Sequence, residues 1–237
     1  MLVAADQEGG EVQQLTGTGF TPMPSGLEQA QDADLRASAK AWGSELKQAG
    51  VNVNLAPVAD TVPADIGRAN EPIGKWDRQY GSTPVAAGKG SLAFARGMQD
   101  AGVEPTVKHF PGIGRITGNT DLQATGITDS TATTKDPYLA PFAETIEGGT
   151  KIVMIGSARY SKIDGETPAL FSQKIVTGML REDMDFDGVV ITDARVVAVV
   201  TAVVPTAGGE TRDSKKGGYF HCSHCRSIRA GRAFLLK

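Results

Sequence analysis

Cysteine is almost missing from this 237-residue chain: there are two, Cys222 and Cys225, both near the C-terminus. A disulfide framework is therefore excluded as the source of stability, and the fold has to rest on a packed core. Histidine is as rare, at three residues, His109, His221 and His224, which excludes an imidazole-rich metal centre over most of the length. No apolar run approaches the ~20 residues that a membrane-crossing helix needs. Met1 passes straight into Leu2–Asp6 with no charged leader and no long apolar core, so no signal segment is expected. Positive charge is short as well. The formal net charge is −3, no basic face runs through the body of the chain, and nucleic acid is not expected as a partner.

What is present suits a turn-rich α/β protein: 40% hydrophobic residues and 29 glycines. The length fits one large domain and lies just under the ~250 residues typical of a (β/α)8 barrel. Charge is unevenly spread. From Thr206 onward there are seven Lys and Arg against two Asp and Glu, a net of +5, which leaves the rest of the chain at −8. A break this sharp divides the chain at 205/206 into a main domain, 1–205, and a basic tail, 206–237, expected to lie outside the fold. The tail's His221-Cys222-Ser223-His224-Cys225 contains half of a zinc-type Cys pair without its second half, so no metal is expected there.

Apolar runs that suit buried strands occur at Leu2–Ala5, Val51–Val58, Val103–Lys108, Lys151–Ile155 and Gly188–Thr192. Between them lie helical patterns over Glu28–Ala49, Thr83–Ala101, Pro137–Gly148 and Ser172–Asp185, the last with Ser172 as its cap. Strands alternating with helices predict a parallel sheet. Five strands are recognisable where a closed barrel has eight, so the expected fold is an α/β, TIM-barrel-type domain that is incomplete.

Chemistry is concentrated where these strands end. Val107–Asp121 runs V-K-H-F-P-G-I-G-R-I-T-G-N-T-D: a strand closes in Lys108 and His109 and opens into a Gly-rich loop. Lysine supplies a point charge with three donors, and histidine a switchable donor or acceptor. Leu2–Ala5 likewise ends in Asp6-Gln7-Glu8-Gly9-Gly10, and the Gly188–Thr192 strand ends in Asp193. A carboxylate closing an apolar strand is costly unless it faces solvent or a partner, and the C-terminal rim of a barrel is where catalytic groups sit.

K-H-F-P-G-x-G resembles the signature of family 3 glycoside hydrolases, in particular the β-N-acetylhexosaminidases that trim peptidoglycan fragments. The resemblance runs from about Leu2 to Asp193 and takes in D-Q-E-G-G-x-V-Q, D-R-Q-Y-G and the Thr192-Asp193-Ala194 run. It implies a retaining glycosidase without cofactor or metal, acting on an amino-sugar glycoside or muropeptide. Asp193 is then the nucleophile, and Asp6, Arg78, Lys108 and His109 bind substrate. The family's Asp-x-His acid/base dyad falls on Asn119-Thr120-Asp121, which leaves Asp121 as the candidate acid if its pKa is raised. Two arginines that the family places around Val12-Gln13 are Glu11 and Gln14 here. The family would supply two further strands before Leu2 and one after Asp193. Two other readings stay open: a non-catalytic fragment that keeps residual sugar binding, and a family 3 β-glucosidase.

Overall fold

The computed structural model describes residues 1–118 and 127–193, together with the backbone of Phe234–Leu236. Strand β1 (Leu2–Ala5) runs into a small hairpin of β2 (Gln7–Gly9) and β3 (Val12–Gln13). A short helix α1 (Gly26–Gln29) and a long α2 (Leu35–Gln48) lead to β4 (Val53–Asn54). Helix α3 (Pro84–Asp100) precedes β5 (Glu104–Phe110), the strand of the Lys-His motif. Then come β6 (Thr128–Asp129), α4 (Ala140–Glu147) and β7 (Ile152–Ile155). β8 (Arg159–Tyr160), α5 (Ser161–Asp164), a π-wound helix over Lys174–Asp183 and β9 (Val189–Thr192) follow. Three residues of the tail, β10 (Phe234–Leu236), pair antiparallel with β1 at the sheet edge.

The main sheet has the order β10-β1-β4-β5-β7-β9, and its five strands from β1 to β9 are mutually parallel. Each parallel strand lies beside the one before it, joined through a helical crossover. That single winding, continued, rolls a sheet into a barrel, and here it makes part of one. Alternation along the strands sorts side chains to two faces. Ala5, Val107, Val153, Ile155 and Val190 enter the two large cores under the helices. Ala4, Val53, Ile152 and Ile191 gather on the opposite, inner face. Lys108 follows Val107 and so belongs to that inner side.

Helix starts carry the expected chemistry. Ser25 and Glu28 form a reciprocal capping box on α1, and Thr83 accepts from Ala86 N ahead of Pro84. The single helix expected over Glu28–Ala49 is two helices. Asp32 accepts from Asp34 N and Ser38 Oγ, and Asp34 accepts from Ala37 N, so these carboxylates stop one helix and begin the next. The strand expected over Val51–Val58 keeps a ladder only at Val53–Asn54 and a bridge from Val58 to Lys108, since Pro57 has no N–H to donate. Ser172 does not begin the fourth helix directly. Its hydroxyl donates to Asp164 and accepts from Ile175 N, two residues upstream of the π-wound segment.

The α2–α3 contact yields the first prediction. Gly97 faces α2 so closely that an added Cβ would collide with Arg36 O and would stand 2.6 Å from Ala39 Cβ. Gly97→Ala gains up to ~1 kcal/mol of helix propensity and loses ~1–3 kcal/mol to overpacking. The net should be a loss of about 1–2 kcal/mol, read as a Tm lowered by roughly 2–8 °C in a thermal melt. An unchanged or raised Tm would mean that the helices separate at little cost.

Candidate active site

Because β1, β4, β5, β7 and β9 are parallel neighbours, their C-terminal ends form one rim. Asp6 follows β1, Lys108 and His109 lie near the C-terminal end of β5, and Asp193 follows β9. The β2–β3 hairpin folds back over this rim. It is held by Asn54, which accepts from Gln7 N (3.1 Å) and donates to Gln7 O (3.0 Å). Gln14, one of the positions where an arginine was expected, instead accepts from Asp6 N at 2.8 Å.

At the centre is Lys108, 2% exposed. Its ammonium meets Asp6 Oδ1 at 2.8 Å and Glu8 Oε1 at 2.5 Å. Glu8 in turn accepts a fork from Arg78, Nε to Oε2 and Nη2 to Oε1, each at 2.8 Å. Two carboxylates and two cations thus alternate in a chain, Asp6–Lys108–Glu8–Arg78. Burial opposes ionisation of Glu8, but Arg78 and Lys108 outweigh it and hold the carboxyl far below the ordinary carboxylate range. Burial likewise opposes the charge on Lys108, and Asp6 and Glu8 overcome it, raising that pKa above the usual lysine value. With its side chain 27% exposed, Asp6 is the carboxylate of the chain open to solvent.

Beside this network stands a second one. Asp60, fully buried, accepts from His109 N (3.1 Å) and Ile113 N (2.7 Å), and its Oδ2 lies 2.7 Å from His109 Nδ1. Asn70 donates to Ile113 O and Ile116 O and accepts from Ile73 N and Gly74 N, tying the Gly-rich loop to the long loop after β4. Tyr160 Oη donates to Gly112 O at 2.7 Å. Further along, the Arg115 guanidinium forks onto Asp136 (2.6 and 2.9 Å), lies 3.7 Å over the Tyr138 ring, and stands 3.7 Å from Asp129. Arg115 precedes residues 119–126 and Asp129 follows them.

The structure therefore brings Asp6, Lys108 and Arg78 into one network, sets His109 next to Lys108, and puts Asp193 at the same end of the sheet. Asp193 is half-buried, its backbone N–H reaches Ile155 O, and its side chain has no partner among the described residues. Arg78 is placed otherwise than a loop arginine reaching over a ligand. Its side chain is 16% exposed, and three of its N–H groups go to Glu8 and Pro72 O. Asp121, with Asn119 and Thr120, lies outside the described residues, as do His221–Cys225. Glu8 and Asp60 were absent from the expected site. Glu8 stood in the D-Q-E-G-G motif and Asp60 just past a strand, and those positions were the available signals. Among the described residues no group of three acidic, Cys or His side chains could hold a metal ion, and no helix is long and apolar enough to cross a membrane.

Comparison with known proteins gives concordant matches. The family model described as "Glycosyl hydrolase family 3 N terminal domain" matches residues 1–212. A beta-hexosaminidase of Xanthomonas axonopodis pv. citri (strain 306) is 34% identical over 202 residues, covering 81% of this chain and 58% of that protein. One from Xylella fastidiosa (strain M23) is 33% identical over 217 residues, covering 88% and 62%. The chain thus spans about three-fifths of the length of these relatives. Among solved structures, the beta-N-acetylhexosaminidase from Beutenbergia cavernae DSM 12333 superposes with a TM-score of 0.78 at 45% identity, over 80% of this chain and 57% of that one. A glycoside hydrolase family 3 beta-N-acetylglucosaminidase from Paenibacillus sp. str. FPU-7 gives 0.76 at 34% identity, over 86% and 38%.

Glu8 links the two cations, so Glu8→Gln should leave both undercompensated in a buried setting and cost about 3–5 kcal/mol at neutral pH. Its folded-state pKa is depressed. The stabilisation is therefore full above the unfolded value near 4.5 and is lost as pH falls below it towards the folded value. Denaturant melts of wild type and Glu8→Gln should differ most at pH 6–8 and converge on acidification. A difference that stays constant from neutral pH down to about pH 2 would contradict the ion network.

Proposed function

The chain belongs to glycosyl hydrolase family 3, and from that membership we propose that it carries the sugar-binding rim of a retaining β-N-acetylhexosaminidase. Its reaction removes terminal β-linked N-acetylglucosamine, with muropeptide fragments of peptidoglycan as a natural substrate. The observation that carries this reading is the rim cluster Asp6–Lys108–Glu8–Arg78 beside His109. It offers a solvent-open carboxylate and cationic donors fixed in place before any ligand arrives, which suits recognition of hydroxyl and acetamido groups. We assign residues 1–205 to the barrel domain and 206–237 to a basic tail, of which Phe234–Leu236 pairs with β1 at the sheet edge.

Within this reading Asp193 is the nucleophile. It attacks the anomeric carbon while the leaving oxygen is protonated, and water then releases the glycosyl–enzyme ester with inversion at each step. Asp6, Lys108 and His109 bind sugar. Arg78 acts mainly through Glu8, which fixes the lysine. Asp121 is the proton donor, in place of the histidine that the related motif carries. No metal or cofactor enters, because two carboxyl groups and water suffice for the displacement. The second reading, sugar binding without turnover, is favoured by that missing histidine.

Two variants separate the roles. Asp193→Asn should lower kcat by several orders of magnitude on nitrophenyl N-acetyl-β-glucosaminide, because the covalent intermediate can no longer form. Binding of N-acetylglucosamine, followed by calorimetry, should stay within a few-fold of wild type. Asp121→Asn should be mild on the nitrophenyl glycoside, whose leaving group needs little protonation, and severe on a disaccharide such as chitobiose. Full activity in Asp193→Asn would end the retaining mechanism. Equal losses on both substrates in Asp121→Asn would remove it as the acid. Binding without turnover in the wild-type chain would select the second reading.

A further inference from the structure

We propose that Asp60 is a positioning residue that fixes the tautomer of His109, so that His109 Nε2 faces the rim as a hydrogen-bond acceptor. This rests on the sugar-rim reading above and deepens it, by giving the rim a donor/acceptor polarity.

Asp60 has no solvent exposure, and its three partners are His109 N, His109 Nδ1 and Ile113 N. Two of these are backbone amides, which only donate. The same oxygen that accepts from His109 N, Oδ2, also lies 2.7 Å from Nδ1. Were Nδ1 bare, two lone pairs would face each other at that distance in a buried setting. The proton therefore sits on Nδ1, and in the neutral ring Nε2 carries the lone pair.

The position of Asp60 is not adjustable. Ala59 N donates to Lys108 O at 2.7 Å and Lys108 N to Pro57 O at 3.1 Å, so the segment before Asp60 is zipped to the strand that ends in His109. Gly156, just past β7, packs against the same residue: a Cβ added there would lie 3.5 Å from His109 Cβ. Among the described residues Nε2 has no partner. The charged groups nearby are already engaged: Lys108 with Asp6 and Glu8, and Arg78 with Glu8.

The neighbouring pair then reads opposite polarities. The Lys108 ammonium only donates and suits an acceptor oxygen. His109 Nε2 only accepts and suits an O–H. A ligand group that accepts but cannot donate, such as fluorine or a methyl ether in place of one hydroxyl, would leave Nε2 unpaired. A buried polar group left without its partner is what lets a site reject such an analogue.

The test needs no turnover. Long-range 15N–1H spectra of the full chain report which imidazole nitrogen bears the proton, and His221→Gln with His224→Gln leaves His109 as the one histidine. The expected result is a protonated Nδ1 and a bare Nε2 at neutral pH. A proton on Nε2 with a bare Nδ1 overturns the proposal. In Asp60→Asn the acceptor becomes a neutral amide, so the Nδ1 proton should move upfield and exchange faster with water. An unchanged Nδ1 proton in a folded Asp60→Asn also overturns it. Titration with N-acetylglucosamine and its monodeoxyfluoro analogues adds a separate readout. The sugar should shift Nε2, and one fluoro analogue should bind at least tenfold more weakly. If the tautomer is as expected but the sugar moves nothing, the glycosidase reading fails while the role of Asp60 stands.

Discussion

The rim depends on one constraint: an ammonium group, Lys108, placed where water scarcely reaches. A buried cation is costly unless it is paired and hydrogen-bonded. Asp6 and Glu8 supply the pairing, and Arg78 is then required because Lys108 alone would be a single cation shared by two carboxylates, one of them buried. Each added charge is answered by the next until the chain ends at Asp6, which is open to solvent. Much of the local structure follows from that need. The β2–β3 hairpin folds back to deliver Glu8, and Asn54, Gln14 and Gln29 hold its backbone in place.

The second network has the same logic with a different aim. Asp60 is a buried carboxyl held by two backbone N–H donors and the imidazole of His109 rather than by a lysine or arginine. It organises geometry: the imidazole, the backbone of His109 and the start of the Gly-rich loop are all held by two oxygens. Asn70 and Tyr160 fasten the same loop through Ile113, Ile116 and Gly112. The rim is thus made rigid by polar groups from four separate stretches of chain, while the apolar cores beneath it hold the strands at their spacing. Rigid support of this kind is what a binding site needs if its donors are to be in position before the ligand arrives.

How much of this was legible beforehand differs by residue. The strands at Leu2–Ala5, Ile152–Ile155 and Val189–Thr192 match their apolar runs, because strands of a parallel sheet covered by helices are built mainly of apolar residues. The break between α1 and α2 was also written in Asp32 and Asp34, but the apolar spacing of Leu35, Ala39, Trp42 and Leu46 hid it. Lys108, His109 and Asp6 could be picked out because each ends a strand. Arg78 could not be placed. Its partner, Glu8, is 70 residues away, and no local pattern distinguishes a solvated loop arginine from one forked onto a buried carboxylate.

What the sequence determined by itself is the alternation of strands and helices, the end of the sheet at which chemistry collects, and the motif that links the chain to its family. These are local or periodic properties, set by side-chain spacing and by the turn chemistry of Gly and Pro. What only the tertiary structure decided is which charges meet. Glu8 became the bridge between two cations, and Asp60 became the partner of His109, because β1, β4 and β5 are neighbours in a parallel sheet. Coulomb attraction and hydrogen bonding depend on distance in space, and that distance is fixed by strand order and register, which the chain acquires only on folding.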